Sequence, residues 1–168
     1  MSAVHVVVMG VAGCGKSAVG QRIAQGLGLP LIEGDEFHPA SNVDKMRQGL
    51  PLTDQDRAGW LQLLGQELAR HPGGAVLTCS ALKRNYRDSL RAAVPELRFV
   101  HLALSQEQAL GRVASRGGHF YPPSLVASQF QALEDPAAEA GVLVIDACLP
   151  LEEVVQRAVA WLAQPSQA

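Results

Sequence analysis

Gly10-Val11-Ala12-Gly13-Cys14-Gly15-Lys16-Ser17 is the stretch on which the reading of this chain turns. It fits the pattern G-x-x-x-x-G-K-[ST] without a mismatch. The chemistry of a phosphate cradle requires each part of it. Glycines allow successive backbone N–H groups to turn inward around phosphate oxygens. A helix starting at the end of the loop adds its positive pole to the same spot. Lys16 can reach the β and γ phosphates of a nucleotide, and the Ser17 hydroxyl can enter a Mg²⁺ shell. The flanks agree with this reading. A β-branched run at 4 to 9 precedes the loop as a buried strand, and Val19, Ile23 and Leu27 follow at helical spacing, with Gly28 as the stop. The nucleotide cradle is therefore expected to run from Gly10 through Ala18, including Val11, Ala12, Gly13, Cys14, Gly15, Lys16 and Ser17. Cys14 reads as a small tolerated side chain rather than a redox switch.

Outward from that loop, short apolar runs alternate with amphipathic stretches. Strands are expected at 29 to 32, 75 to 79, 97 to 104 and 142 to 145. Helices are expected at about 53 to 71, around Tyr86, Leu90 and Val94, from Ser105 to Arg116, after Pro122-Pro123, and from 151 to 162. Thr53 with Asp56 resembles an N-terminal capping arrangement, with Asp in place of the usual Glu. This order predicts an α/β fold of the P-loop NTPase type, a five-stranded parallel sheet with helices on both faces. Two polar segments carrying Gly or Pro, about 36 to 59 and about 117 to 123, read as an acceptor-binding insertion and a lid within one domain spanning 1 to 168.

The bulk numbers narrow the function. The 168 residues suit one core. With 48% hydrophobic and 18% charged residues the composition is globular, and the net charge of −2 argues against a broad nucleic-acid surface. The apolar run at 4 to 9 is far too short to span a bilayer, so no membrane partner is expected. Cys14, Cys79 and Cys148 form no metal pattern, and the start lacks the features of a signal peptide, so the expected location is cytoplasmic. The chain lacks the base-reading N-K-x-D of a GTPase. Its small size with two lid-like segments fits a small-molecule kinase, in which water must be kept from the γ-phosphate.

The acceptor side supplies the remaining candidates. Asp35 follows the second strand and arrives at the carboxyl edge of the sheet, where α/β ligands bind. It could orient or deprotonate an attacking hydroxyl, hold Mg²⁺ through water, or simply cap a turn. The third strand ends in Thr78-Cys79-Ser80 without an acidic residue, which makes Asp35 the leading carboxylate. Asp54, Asp56 and Arg57 form a polar cluster before Trp60, and Trp60 itself reads as core. Lys83, Arg87 and Arg91 share one helical face. Lys83 and Arg87 are expected at the cleft, binding an anionic acceptor, while Arg91 reads as a surface arginine. Arg112 and Arg116 lie one turn apart beneath the expected lid and could stack on adenine or neutralise the phosphoryl group. His119 could close the lid onto substrate. His38 stays open between a turn residue and a substrate contact, and His5 reads as structural.

These residues carry a resemblance over about 5 to 160. Its marks are Met9 to Ser17; Gly34-Asp35-Glu36-Phe37-His38-Pro39; Asn42 with Lys45-Met46; Pro51-Leu52 with Asp54, Asp56-Arg57 and Trp60-Leu61; Cys79-Ser80-Ala81-Leu82-Lys83-Arg84 with Tyr86-Arg87; and Gly118-His119-Phe120 with Gln129-Phe130. The chain resembles the P-loop gluconokinases, relatives of shikimate and adenylate kinases. Gly59 stands where that family tends to have proline before the tryptophan. The resemblance implies ATP-dependent phosphorylation of D-gluconate at its terminal hydroxyl, Mg²⁺ dependence, and a nucleoside-monophosphate-kinase-like fold with a lid; it is also compatible with a homodimer. On this reading Lys16, Asp35, Lys83 and Arg116 form the catalytic set. Asp35, His38, Lys45, Asp56, Arg57, Ser80, Lys83, Arg87 and His119 would bind gluconate, and Ser17 and Asp35 would attend the metal.

Overall fold

The computed structural model describes residues 3–115 and 123–165. Strand β1 (Val4–Met9) leads into the glycine loop and helix α1 (Lys16–Leu27), and β2 (Leu31–Glu33) ends in a 3₁₀ turn over Gly34–Phe37. Helices α2 (Ala40–Arg47) and α3 (Asp54–Ala69) precede β3 (Gly74–Thr78). Then come α4 (Arg84–Ala93), β4 (Arg98–Ala103), α5 (Gln106–Ser115), α6 (Pro123–Ala132), β5 (Val142–Asp146) and α7 (Leu151–Leu162).

All strand pairings are parallel, in the order β2-β3-β1-β4-β5. The crossover from β1 to β2 skips over β3, so β1 sits at the centre. The central strands are buried on both faces, which is why they read as continuous apolar runs. On one face Val7, Met9, Leu77 and Phe99 pack with Leu64, Leu68 and Leu90 of α3 and α4. On the other, Val6, Val8, Val76 and Val100 pack with Ile23 of α1 and Val154 and Ala158 of α7. The five-stranded parallel sheet with helices on both faces is thus the observed architecture.

Local signals explain several boundaries. Gly28 ends α1 in the left-handed region at φ 66, and its N–H returns to the helix. Thr53 and Asp56 close a reciprocal capping box at the start of α3. Helix α3 runs unbroken through Gly59, so the missing proline does not disturb it. Ser105 and Gln108 exchange two further capping bonds ahead of α5. The second strand begins two residues later than its apolar pattern suggests, because Leu31, Ile32 and Glu33 are the residues in register with Val76, Leu77 and Thr78. The expected lid at about 117 to 123 falls almost wholly outside the described residues.

Candidate active site

The site is built where β1, β2 and β3 end side by side. Gly15 caps α1 at φ 95, a conformation that only glycine takes without strain, and so turns the loop onto the helix axis. A cavity of about 250 Å³ opens over the loop, with Ala12, Gly13, Gly15, Lys16, Ser17 and Ala18 in its wall. Gly10, Val11 and Cys14 sit beneath: Gly10 N–H donates to Ser80 O at 3.3 Å, while the Val11 and Cys14 side chains are buried in the core. The Lys16 ammonium donates to Gly10 O at 3.0 Å and Val11 O at 3.2 Å.

A carboxylate stands beside Ser17, and it is Glu33 rather than Asp35. Ser17 Oγ donates to Glu33 Oε2 at 3.0 Å, and Thr78 Oγ1 donates to the same oxygen at 2.7 Å. The acidic group absent from the end of β3 is therefore supplied by the neighbouring strand. Gly34 allows this close approach, because a Cβ there would lie 2.2 Å from Thr78 O. Asp35, one step further, lines the cavity and faces His38, with Oδ1 3.9 Å from the ring Nε2.

The far wall is cationic and aromatic. Arg57, Ser80, Lys83 and Tyr86 line it. The Arg57 guanidinium lies 5.4 Å and the Lys83 ammonium 5.7 Å from the Tyr86 ring centre. Asp54 holds this group together, accepting from Lys83 Nζ at 3.0 Å and from the Tyr86 hydroxyl. The Tyr86 bond, then Lys83, keep the Asp54 carboxyl below its ordinary pKa. Burial, reinforced by Asp54, pushes the Tyr86 phenol upward, so it remains a donor at neutral pH. His38 is sandwiched against Trp60, ring centres 4.0 Å apart, and Trp60 Nε1 donates to Gly34 O at 2.8 Å.

Other candidates lie elsewhere. Arg87 is fully buried and does not line the cavity. Its guanidinium pairs with Glu139 at 2.6 Å and donates to Ala81 O at 2.8 Å, Leu82 O at 3.1 Å and Glu134 O at 2.9 Å. The expectation that the strand end would aim Arg87 at the cleft is corrected: α4 turns it into the protein, where loop carbonyls and a carboxylate satisfy it. Arg91 joins it on Glu139. Burial alone would raise the Glu139 carboxyl, but the two arginines outweigh it and hold it below its ordinary range. Lys45 and Asp56 form an ion pair at 2.7 Å, and Asp56 also closes the capping box, so the two join α2 to α3 rather than lining the cavity. These bonds lower the Asp56 pKa to about 2. Arg112 donates to Gly13 O and Ala147 O, both at 3.0 Å, tying α5 to the glycine loop. Arg116 and His119 lie outside the described residues.

Sequence reasoning gave no site role to Glu33, Tyr86 or Gln129, and placed Asp54 in a polar cluster without a role of its own. Gln129 of α6 lines the cavity, and its Oε1 accepts from Ala12 N at 2.6 Å. Glu33 had a signal, a carboxylate two residues before Asp35 at a strand end, whereas Gln129 depends on how α6 folds back.

Similarity to known proteins identifies the family. A family model described as an AAA domain matches residues 6–140. The chain is 47% identical over 141 residues to the gluconokinase of Gluconobacter oxydans (strain 621H), covering 82% of this chain and 79% of that one. It is 42% identical over 153 residues to the thermoresistant gluconokinase of Escherichia coli (strain K12), covering 89% and 87%. The chain belongs to the gluconokinase family. A crystal structure of a gluconokinase from Sinorhizobium meliloti 1021 superposes with a TM-score of 0.88 at 48% identity, over 95% of this chain and 91% of that one. ATP is the donor that a kinase of this family uses.

Proposed function

We propose that the chain transfers the γ-phosphoryl group of ATP to the terminal hydroxyl of D-gluconate, giving ADP and 6-phospho-D-gluconate. The observation that carries this reading is that one cavity joins the glycine loop to a wall of Arg57, Lys83 and Tyr86, with Asp35 between them. A polyhydroxy carboxylate needs cations for its carboxylate and mixed donors and acceptors for its hydroxyls, and that wall supplies both.

Phosphoryl transfer through a loose transition state asks the protein for positioning and charge stabilisation more than for covalent chemistry. Backbone N–H groups of residues 13 to 17 would cradle the phosphates. Lys16 would exchange its two loop carbonyls for phosphate oxygens, and Arg116 would add charge from the lid side. Asp35 would align the primary alcohol, since a hydroxyl with a pKa far above neutrality gains little from early deprotonation. Lys83 and Arg57 would hold the carboxylate, with Ser80 contributing a hydroxyl. Arg87 supports the site indirectly, through its bonds to Ala81 O and Leu82 O.

The residues fit Mg²⁺. The ion prefers one or two protein oxygens together with phosphates and waters. Ser17 Oγ already shares a hydrogen bond with the Glu33 carboxylate, which is the donor set such an ion uses. Ser17 would hold the ion, with Glu33 and Asp35 holding its waters, and the ion would neutralise phosphate charge. The same reading includes a cytoplasmic location and is compatible with a homodimer. Among the described residues no helix is long and apolar enough to cross a membrane.

A coupled ADP-release assay over a panel of sugar acids and shikimate tests the proposal, with the product identified by mass. Turnover on gluconate with a phosphorylated product is expected. Turnover on shikimate with none on gluconate would overturn the acceptor, and nucleotide hydrolysis without any phosphorylated acid would overturn the kinase reading.

A further inference from the structure

His38 is held in three ways, and together they settle where its proton sits. Its side chain is only 3% exposed. The Trp60 ring fixes its plane, at an interplanar angle of 16°. The Asn42 amide reaches its Nδ1, with Nδ2 at 3.2 Å. Asn42 is itself buried, and the same Nδ2 lies 3.1 Å from Asp56 O. A backbone carbonyl only accepts, so the atom facing it must be the amide nitrogen; the opposite orientation would press two acceptors together. Both Nδ2 hydrogens are then assigned, one to Asp56 O and one to His38 Nδ1. Nδ1 is an acceptor, and the ring proton belongs on Nε2, the nitrogen that faces Asp35 at 3.9 Å.

That separation exceeds a direct hydrogen bond, but one oxygen seated astride it can reach both atoms at about 2.8 Å. We propose that Asn42 is a positioning residue that holds His38 in the Nε2–H form, so that His38 offers a donor and Asp35 an acceptor to one hydroxyl of the substrate. This rests on the kinase reading above and deepens it. The pair gives the bound hydroxyl a defined polarity: it receives from the imidazole and gives to the carboxylate, which leaves a lone pair free to face the phosphoryl group. A protonated ring would lose this lock, because Nδ1–H would then oppose the amide N–H of Asn42. The charged groups acting on the ring are Asp35, which favours protonation, and Arg57 of α3, which opposes it. Burial outweighs the pull of Asp35, Arg57 acts in the same sense as burial, and the His38 pKa falls to about 4, which keeps the ring neutral.

Long-range ¹H–¹⁵N correlation on histidine-labelled protein reads the tautomer directly. His38 is expected to show an unprotonated Nδ1 and a protonated Nε2 from about pH 8 down to about pH 5. Asn42→Asp replaces the donor with an acceptor, so the proton should move to Nδ1 or the ring should become charged. In that variant kcat for gluconate should fall about 10- to 100-fold. The KM for ATP should move little, and a pH limb absent from the parent should appear between about pH 5 and 8. His38→Gln, whose amide N–H can occupy the place of Nε2–H, should retain more activity than His38→Ala. A protonated Nδ1 in the parent protein overturns the proposal, as does unchanged kcat in an Asn42→Asp variant whose tautomer has reversed. If Asn42→Asp does not fold, the parent spectrum and the His38 pair decide. The expected spectrum in a protein that phosphorylates no gluconate would sink the acceptor assignment instead, leaving the tautomer established.

Discussion

Lys16 rests on the carbonyls of Gly10 and Val11, and both bonds must yield when a triphosphate enters. Its charge is then in place before the phosphoryl group begins to move. Lys16→Ala should lower kcat about 100- to 1000-fold, in line with loss of one preorganised electrostatic contact, while the thermal unfolding midpoint stays near that of the parent. Retained turnover would remove the loop from the mechanism. Asp35→Asn keeps the shape but replaces one carboxylate oxygen with an amide donor, so it should depress kcat more than ATP affinity; an unchanged rate would exclude Asp35. At this scale the glycine loop was legible because its function is written in contiguous residues. Glu33 left only a faint mark, a carboxylate at a strand end, since its importance comes from Ser17 of α1 and Thr78 of β3 meeting it in space.

Helix α4 shows what periodicity reveals and what it leaves open. Spacing puts Lys83, Arg87 and Arg91 on one face, and the structure keeps them there, but that face divides. Lys83, just before the helix, lines the cavity, while Arg87 is buried against Glu139 and the carbonyls of Ala81, Leu82 and Glu134. Ala81 is held at φ 46, unusual for a residue other than glycine, and Arg87 bonds its carbonyl. Arg87 is therefore the clamp on the 80 to 83 loop. Arg87→Met should destabilise the protein by about 3–5 kcal/mol, the usual result of removing one partner of a buried pair, as measured by chemical denaturation. It should also raise the KM for gluconate through the loosened loop. A variant as stable as the parent would contradict the clamp. The helix spacing was readable because it is local; the direction of the face was not, because the acidic partner Glu139 lies 52 residues away along the chain.

On the acid side of neutrality, buried and paired groups across the molecule make stability depend on pH in one direction. The His38 pKa of about 4 lies below the ordinary 6.5, so between those values the unfolded chain binds the proton more readily than the folded one. Stability from this group is complete above pH 6.5 and is lost as the pH falls toward 4. Burial lowers His101 in the same sense, and the depressed Glu139 carboxyl adds a further loss on acidification below its ordinary 4.5. Denaturation midpoints should be level between about pH 6.5 and 8 and decline below that range, less steeply in His38→Gln; a level profile down to pH 4 would contradict this balance. The sequence by itself determined the βα alternation, the phosphate loop and the helix caps, because those depend on neighbours a few residues apart. Only the tertiary structure decided the strand order β2-β3-β1-β4-β5, and with it which carboxylate meets Ser17, which arginine is buried, and which nitrogen of His38 faces Asp35. The physical reason is that a side chain's role is set by the groups that desolvate and bond it, and here most of those come from distant parts of the chain.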